Sequence, residues 1–262
     1  MKTEIMKTNL KFLAIILLLG FFLQSCSSDD DSAITSAPEI TDFEYGEGST
    51  HSTDLFAYKG SDIHIAADIY AEATVSSITL SIHAHDLELG DDEVDWDFET
   101  VYTDSDYLVI NPGFHEHVDV PTDIPSGEYH IELTVVDEQG NSTEVEGYLQ
   151  ILDPITLSDF SIDTTVARGD DFHAEFLIDA VNGILSVTVD IHAHGITPGD
   201  GEVEWDYEEE FLEGYHEETS IEFHEHIDVP LTAPAGEYHM IFTVEDENGN
   251  TSEYETQIDI TA

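Results

Sequence analysis

The stretch GEYHIELTVVD, residues 127–137, decides the fold of the chain around it. Apolar side chains occupy every second position from Tyr129 to Val135, which is the period-two pattern of a strand with one buried face. The stretch GEYHMIFTVED, residues 236–246, repeats this pattern 109 positions later. We therefore expect two copies of one β-rich unit.

The repeat extends well beyond these two strands. The same offset of 109 relates the motif IHAH at 82–85 to 191–194, the motif FHEH at 114–117 to 223–226, and Trp96 to Trp205. The stretch around residues 46–56 makes the first copy longer upstream. Proline ends strands, so Asp153-Pro154 marks the boundary between the copies. We predict a leader at 1–25, a tether at 26–37, copy one at 38–153 and copy two at 154–262.

Each copy has the pattern of an all-β domain. Alternation is clear throughout, no window has a helical period, and Gly, Pro, Asn and Asp clusters mark turns at short intervals. Seven or eight short strands in about 110 residues are typical of an immunoglobulin-like β-sandwich. The pattern around Tyr129 and Tyr238 resembles the penultimate strand of that fold, with each tyrosine at its corner. Trp96 and Trp205 are expected in the cores.

Twelve of the 14 histidines occur at matching positions in the two copies. Because side chains alternate across a strand, the apolar neighbours place His83, His85 and His130 on one outer face. The same reasoning places His64, His115 and His117 outside the other sheet. These sets form two clusters, or one six-histidine site if a strand switches sheets. The counterparts in copy two are His173, His192, His194, His224, His226 and His239.

Two histidine pairs with i, i+2 spacing in each copy indicate metal binding, because side chains about 7 Å apart on one strand face can reach one ion. Imidazole favours zinc or copper, with a carboxylate or water completing the site. The acidic hairpins 91–99 and 200–208 offer Glu93, Asp97, Glu202 and Asp206 as carboxylate candidates. The alternative is that the histidines only form hydrogen bonds with surface acids. His51 and His216 lack counterparts, and the Asp-x-x-Gly-Asn segments favour hairpin turns over calcium sites.

The first 26 residues predict export and lipid anchoring. Three lysines precede an apolar run of about 12 residues, too short for a membrane span of about 20. The sequence Leu23-Gln24-Ser25-Cys26 resembles a lipobox, in which Cys26 becomes the lipidated first residue. The acidic run that follows resembles the surface-export signal of Bacteroidetes lipoproteins, so we expect the outer membrane, on the cell surface or otherwise its periplasmic side. Without the leader, 58 acidic residues face Lys59 and Arg168, a net charge of −56 that repels nucleic acid and attracts cations.

The whole mature chain resembles a family of uncharacterised Bacteroidetes lipoproteins with tandem immunoglobulin-like modules, in which the motifs HAH, FHxH and GEYH recur. The resemblance implies association with outer-membrane import systems. We expect a protein that captures or buffers a divalent transition metal, zinc first, or delivers it to an importer, with no organic cofactor. The rival hypotheses are a metal-independent adhesion or glycan-binding module, and capture of haem or another metal complex. No catalytic arrangement supports an enzyme.

Overall fold

The computed structural model describes residues 35–48, 54–90 and 92–262. In this part of the chain every regular element is a β-strand. Copy one contains β1 (Glu39–Glu47), β2 (Phe56–Tyr58), β3 (Asp62–Tyr70), β4 (Val75–Ala84), β5 (Asp97–Tyr102), β6 (Gly113–Asp119), β7 (Gly127–Asp137) and β8 (Ser142–Leu152). Copy two contains β9 (Ile155–Ile162), β10 (Thr165–Ala167), β11 (Asp171–Ala180), β12 (Ile184–Ala193), β13 (Tyr207–Phe211), β14 (Ser220–Asp228), β15 (Gly236–Asp246) and β16 (Thr251–Thr261).

Each copy is a sandwich of a three-stranded and a five-stranded sheet. The strand orders are β1-β3-β6 and β2-β8-β7-β4-β5 in copy one, and β9-β11-β14 and β10-β16-β15-β12-β13 in copy two. All pairings are antiparallel except those of the short strands β2 with β8 and β10 with β16. The order is the same in both copies, and the immunoglobulin-like all-β fold predicted from the sequence is confirmed.

The core of each copy lies between its two sheets. In β7 the side chains of Tyr129, Ile131, Leu133 and Val135 are fully buried, as the alternation predicts. Burying an apolar side chain of this size contributes about 1.5–3 kcal/mol. Trp96 is 8% exposed and packs against Tyr129 with ring centroids 5.4 Å apart, so it is a core residue, as expected.

The corner tyrosines fix the turns that lead into the penultimate strands. The Tyr129 hydroxyl donates to the carbonyl oxygen of Pro125 at 2.8 Å, and that of Tyr238 donates to Pro234 at 3.1 Å. Both are buried, and burial raises the pKa of Tyr129 to about 12, so the hydroxyl remains a donor. The expected tyrosine corners are confirmed.

The copies differ at the start, as the sequence indicated. In copy one β1 pairs with β3 as far as Glu47 opposite Ile63, and residues 48–55 separate β1 from β2. In copy two β9 ends at Ile162 opposite Ala174, and two residues separate it from β10. The first strand therefore runs two ladder positions further along the central strand in copy one.

Candidate metal centres

The first candidate centre lies on the outer face of the three-stranded sheet of copy one. His64 on β3 is the register partner of His117 on β6, and His115 stands two residues away on the same face. The His115 Nε2 atom is 3.2 Å from His64 Nδ1. One ring nitrogen from each histidine lies within 4.8 Å of the other two. We call these three residues the three-strand cluster of copy one.

His64 departs from the expectation of an outward, accessible side chain. It occupies the outer face, but it is only 1% exposed. Its strand is central, with β1 on one side and β6 on the other, and the rings of His115 and His117 lie 4.7 and 5.3 Å from its own. The cluster therefore has one buried member and two exposed ones, an arrangement that holds the inner imidazole in place while leaving the outer two in contact with solvent.

Asp62, on the same strand as His64, contacts the cluster through His117. The Nδ1 atom of His117 lies 2.5 Å from Oδ2 of Asp62, which occupies the same face of β3 as His64. A histidine that donates from Nδ1 to a carboxylate presents its Nε2 atom to a metal and becomes a stronger ligand. Alternation along β3 could have identified Asp62, since it precedes His64 by two residues, but the sequence analysis looked for acids in the hairpins.

Copy two builds a related but different cluster. His173 and His224 take the places of His64 and His115, and Glu175 stands where copy one has Ala66. The Glu175 Oε2 atom is 3.4 Å from His173 Nε2 and 3.2 Å from His224 Nδ1. One ligand atom from each of the three residues lies within 4.8 Å of those of the other two. We call them the three-strand cluster of copy two.

His226 lies beside the three-strand cluster of copy two. Its ring centroid is 5.3 Å from that of His173. Its Nδ1 atom is 2.6 Å from Asp171 Oδ2, which repeats the contact between His117 and Asp62. The hydrogen bond from His226 holds the pKa of Asp171 below its usual range, so the aspartate is an anionic partner for the imidazole.

The five-stranded sheet of copy one carries the other three histidines on its outer face. His83 and His130 are register partners with ring centroids 5.0 Å apart. His85 contacts Glu128 at 3.2 Å, and His130 contacts Glu146 at 3.1 Å. We call His83, His85 and His130 the five-strand cluster of copy one.

The equivalent face of copy two has the five-strand cluster of His192, His194 and His239. The rings of His194 and His239 are 4.7 Å apart, and those of His192 and His239 are 5.7 Å apart. Among the described residues, neither five-strand cluster brings three ligand atoms within 4.8 Å of one another. The six matched histidines of each copy thus lie in two groups on different sheets, and the more compact groups are on the three-stranded sheets.

Two of the four hairpin carboxylates, Glu93 and Glu202, bind the two basic side chains. Glu93 accepts hydrogen bonds from the Gly90 amide at 2.8 Å and from Lys59 at 3.2 Å, and these contacts lower its pKa. Glu202 repeats this arrangement with the Gly199 amide and Arg168, each at 2.8 Å. The two glutamates therefore serve the basic side chains, which is a correction to their proposed place beside the histidines.

The other carboxylate candidates stand at the edge of the five-stranded sheets. Asp97 is the register partner of His83, whereas Asp206 lies just before β13, which begins at Tyr207. His216 contacts Glu247 at 3.3 Å, away from the clusters. Cys26 and His51 lie outside the described residues, as do the leader and most of the tether.

The charge around the clusters favours cations. Lys59 and Arg168 are the only Lys or Arg residues from position 35 onward. Both are engaged, because Lys59 also lies 2.8 Å from Asp153 and Arg168 binds Glu202. Neither basic side chain therefore offsets the acids beside the histidines, and the local negative potential raises the concentration of dications.

The aspartate turns are hairpins, as expected. Asp137 Oδ1 accepts from the amides of Gln139 and Asn141, each at 2.9 Å, and Asp246 does the same in copy two. These bonds close the turn between β7 and β8 and explain the Asp-x-x-Gly-Asn pattern.

Across the described residues the structure has no helix of the length and apolarity needed to cross a membrane.

Comparison with known proteins identifies the family. The family model described as "Domain of unknown function (DUF4625)" matches residues 24–152 and 153–261, so the chain belongs to this family and contains two tandem copies of its domain. No curated protein matches the chain. The description of this family states no activity.

Several solved structures are similar to the chain at low identity and with low TM-scores. A tetra-tandem repeat from the extending region of a large adhesion protein is 13% identical, with a TM-score of 0.32 over 86% of this chain and 50% of that one. The Dpr2 Ig1-Ig2 complex with DIP-Theta is 15% identical, with a TM-score of 0.27 over 86% and 65%. The Bacteroides ovatus protein SGBP-B, solved with a mixed-linkage heptasaccharide, is 16% identical, with a TM-score of 0.25 over 86% and 48%. The chain spans about half the length of the first and third, and the likeness concerns the fold alone.

Proposed function

We propose that this two-domain member of the family is an outer-membrane lipoprotein that binds a divalent transition metal through its histidine clusters, with zinc as the leading candidate. The observation that carries the proposal is the three-strand cluster of copy one, in which three imidazoles bring ring nitrogens within 4.8 Å of one another. Three histidines with one open position form a common zinc site. The bound ion would be captured, buffered or passed to an importer in the outer membrane.

The surface charge supports a collecting role. A net charge of −54 over the chain gathers cations without selecting among them, and imidazole then selects transition metals over calcium and magnesium. The same charge disfavours nucleic acid as a partner. Because His115 and His117 are exposed, an ion can enter or leave the cluster without unfolding of the sandwich.

Metal analysis and titration of the purified protein test the proposal. We expect bound zinc after purification without chelators, and saturable zinc binding by calorimetry. The variant with alanine at His64, His115 and His117 should lose one site. The matched control is His216→Ala, which removes an exposed histidine that also contacts a carboxylate, at 3.3 Å, but stands outside every cluster. Equal stoichiometry and affinity in the two variants would remove the three-strand cluster of copy one from the proposal.

Absence of zinc and copper binding in the unmodified protein would favour the rival functions. A Soret band after addition of haemin would indicate haem capture, and binding of glycans or cell surfaces without metal would indicate an adhesion module. The membrane anchor has its own test, because Cys26→Ser should move the protein from the membrane fraction to the soluble fraction. Retention of that variant in the membrane fraction would refute lipidation at Cys26.

A further inference from the structure

The two three-strand clusters differ in donor chemistry at one position. In copy one Ala66 is the register partner of His115, and in copy two Glu175 is the register partner of His224. Alanine offers no donor, so the compact group in copy one consists of three imidazoles. Glutamate places a carboxylate oxygen 3.2–3.4 Å from two imidazole nitrogens, so the compact group in copy two is two imidazoles and a carboxylate.

The clusters also differ in how firmly the central histidine is held. His64 is 1% exposed and has β1 paired beside it, since its register partner on that strand is Gly46. His173 has 26% of its side chain exposed and lies beyond the last ladder pair of β9. Its amide donates instead to the Asp163 side chain at 2.9 Å. The imidazole set of copy one is therefore the better preorganised of the two.

From these two differences, and resting on the proposed function, we propose that the two copies discriminate to different extents between copper(II) and zinc. Copy one, a nitrogen site, binds both ions with the larger preference for copper(II) over zinc, and copy two, a mixed nitrogen and oxygen site, has the smaller preference. The residue at position 66 or 175 sets the difference. Imidazole donors favour copper, whereas carboxylate donors accept harder ions more evenly.

The preference must be measured as a ratio. A carboxylate attracts every dication, so Glu175 strengthens both zinc and copper binding through its charge. Dividing the dissociation constant for zinc by that for copper cancels this common contribution and leaves the effect of donor type. We expect the ratio to be at least about tenfold larger in copy one, equivalent to about 1.4 kcal/mol.

Two full-length proteins isolate the clusters. Single-cluster protein one keeps His64, His115 and His117 and has alanine at the other nine matched histidines. Single-cluster protein two keeps His173, His224, His226 and Glu175 and has alanine at the remaining nine. The histidines that protein one loses are all exposed or partly exposed, whereas protein two also loses the buried His64. We therefore expect the substitutions in protein one to disturb the fold less. Competition titrations with chelators of known affinity give the two constants for each protein.

The swap variants decide the question. We expect Ala66→Glu in protein one to lower the ratio and Glu175→Ala in protein two to raise it, with Glu175→Gln as a control of similar size that lacks the charge. Nitrogen hyperfine structure in the copper electron paramagnetic resonance spectrum should indicate three imidazoles in protein one and fewer nitrogens per ion once Glu175 contributes. Ala66 is buried, so Ala66→Glu could fail to fold, and in that case the Glu175→Ala variant still tests the inference.

The outcomes separate the inference from the function on which it rests. Equal zinc-to-copper ratios of dissociation constants in the two single-cluster proteins, or ratios unchanged by the swaps, would overturn the difference in metal preference and leave the proposed metal binding intact. Failure of both folded proteins to bind zinc or copper would overturn the proposed function and this inference together.

Discussion

Asp62→Asn tests whether the His117 contact orients a metal ligand. Asparagine has the shape of aspartate but lacks its charge, so it weakens the 2.5 Å interaction with His117 Nδ1 without opening a cavity. If Nε2 of His117 binds the metal, Asp62 is its outer partner, and the substitution should lower zinc affinity. If the histidines only pair with surface acids, Asp62→Asn should change zinc affinity no more than the removal of any other nearby surface charge.

The expected size follows from the position of the two side chains. Removing the carboxylate partner of a metal-bound histidine costs about 10–100-fold in affinity, or about 1.4–2.7 kcal/mol. Without metal the pair contributes little, because the side chains are 44% and 38% exposed and such pairs are worth about 0–1 kcal/mol. The substitution should therefore change zinc affinity far more than the free energy of unfolding of the metal-free protein.

Single-cluster protein one is the setting for the measurement, with zinc affinity from chelator competition and stability from urea unfolding. The matched control is Asp68→Asn, which removes the same charge from the same face of β3. Asp68 lies four residues beyond His64, about 13 Å along the strand. Equal zinc affinities of the Asp62 and Asp68 variants would refute the orienting role and leave only a general electrostatic effect.

Three further predictions concern the fold and the metal. In Gly147→Ala the new Cβ would overlap the hydroxyl of buried Tyr45 and lie 2.8 Å from its Cζ, so urea unfolding should show a loss of stability of about 1–3 kcal/mol. The control is Thr256→Ala at the matching position of copy two. A stability of Gly147→Ala within error of the parent would contradict this packing. Tyr129→Phe removes the hydrogen bond to Pro125 and should cost about 1 kcal/mol, or about 2–4 °C in Tm, whereas an unchanged Tm would mean that the corner is not needed. Zinc at about 100 times its Kd should stabilise the protein by about 2.7 kcal/mol, and this gain should shrink as the pH is lowered, because protonated imidazole does not bind metal. A gain that is independent of pH would point to carboxylate ligands.

The fold was accessible from the sequence because its determinants are local. Alternation from Tyr129 to Val135 identifies a strand and its buried face, and the same pattern 109 residues later identifies the repeat. The corner tyrosine bonds to a carbonyl only four residues upstream, so a short motif contains both partners. Strand phase likewise placed each set of three histidines on one sheet face, because phase depends on immediate neighbours alone.

The contacts across strands were not accessible in the same way. His64 is buried because β1 extends past it and β6 lays two imidazoles over it, and neither fact is encoded beside His64 in the chain. The basic partners of Glu93 and Glu202 were missed for the same reason. Glu93 is close to His83 and His85 in sequence, yet it turns toward Lys59, 34 residues away, because that lysine is one of two basic side chains after position 35.

Comparison of the two copies bears on why the histidines are there. If they existed to pair with acids, each histidine and its acid would be expected to occur together in both copies. Glu175 contacts His173 and His224, but the matching position in copy one is Ala66.

A second position shows the same separation on the other sheet. Asp190 lies 2.7 Å from His192, but the matching position in copy one is Ser81, and His83 is present there nonetheless. At both positions the acid differs between the copies while the histidine is kept, and the grouping of histidines on each sheet face is the same in both copies. A ligand shared by several imidazoles explains that pattern better than separate ion pairs do, and a transition metal is the ligand that such groups bind.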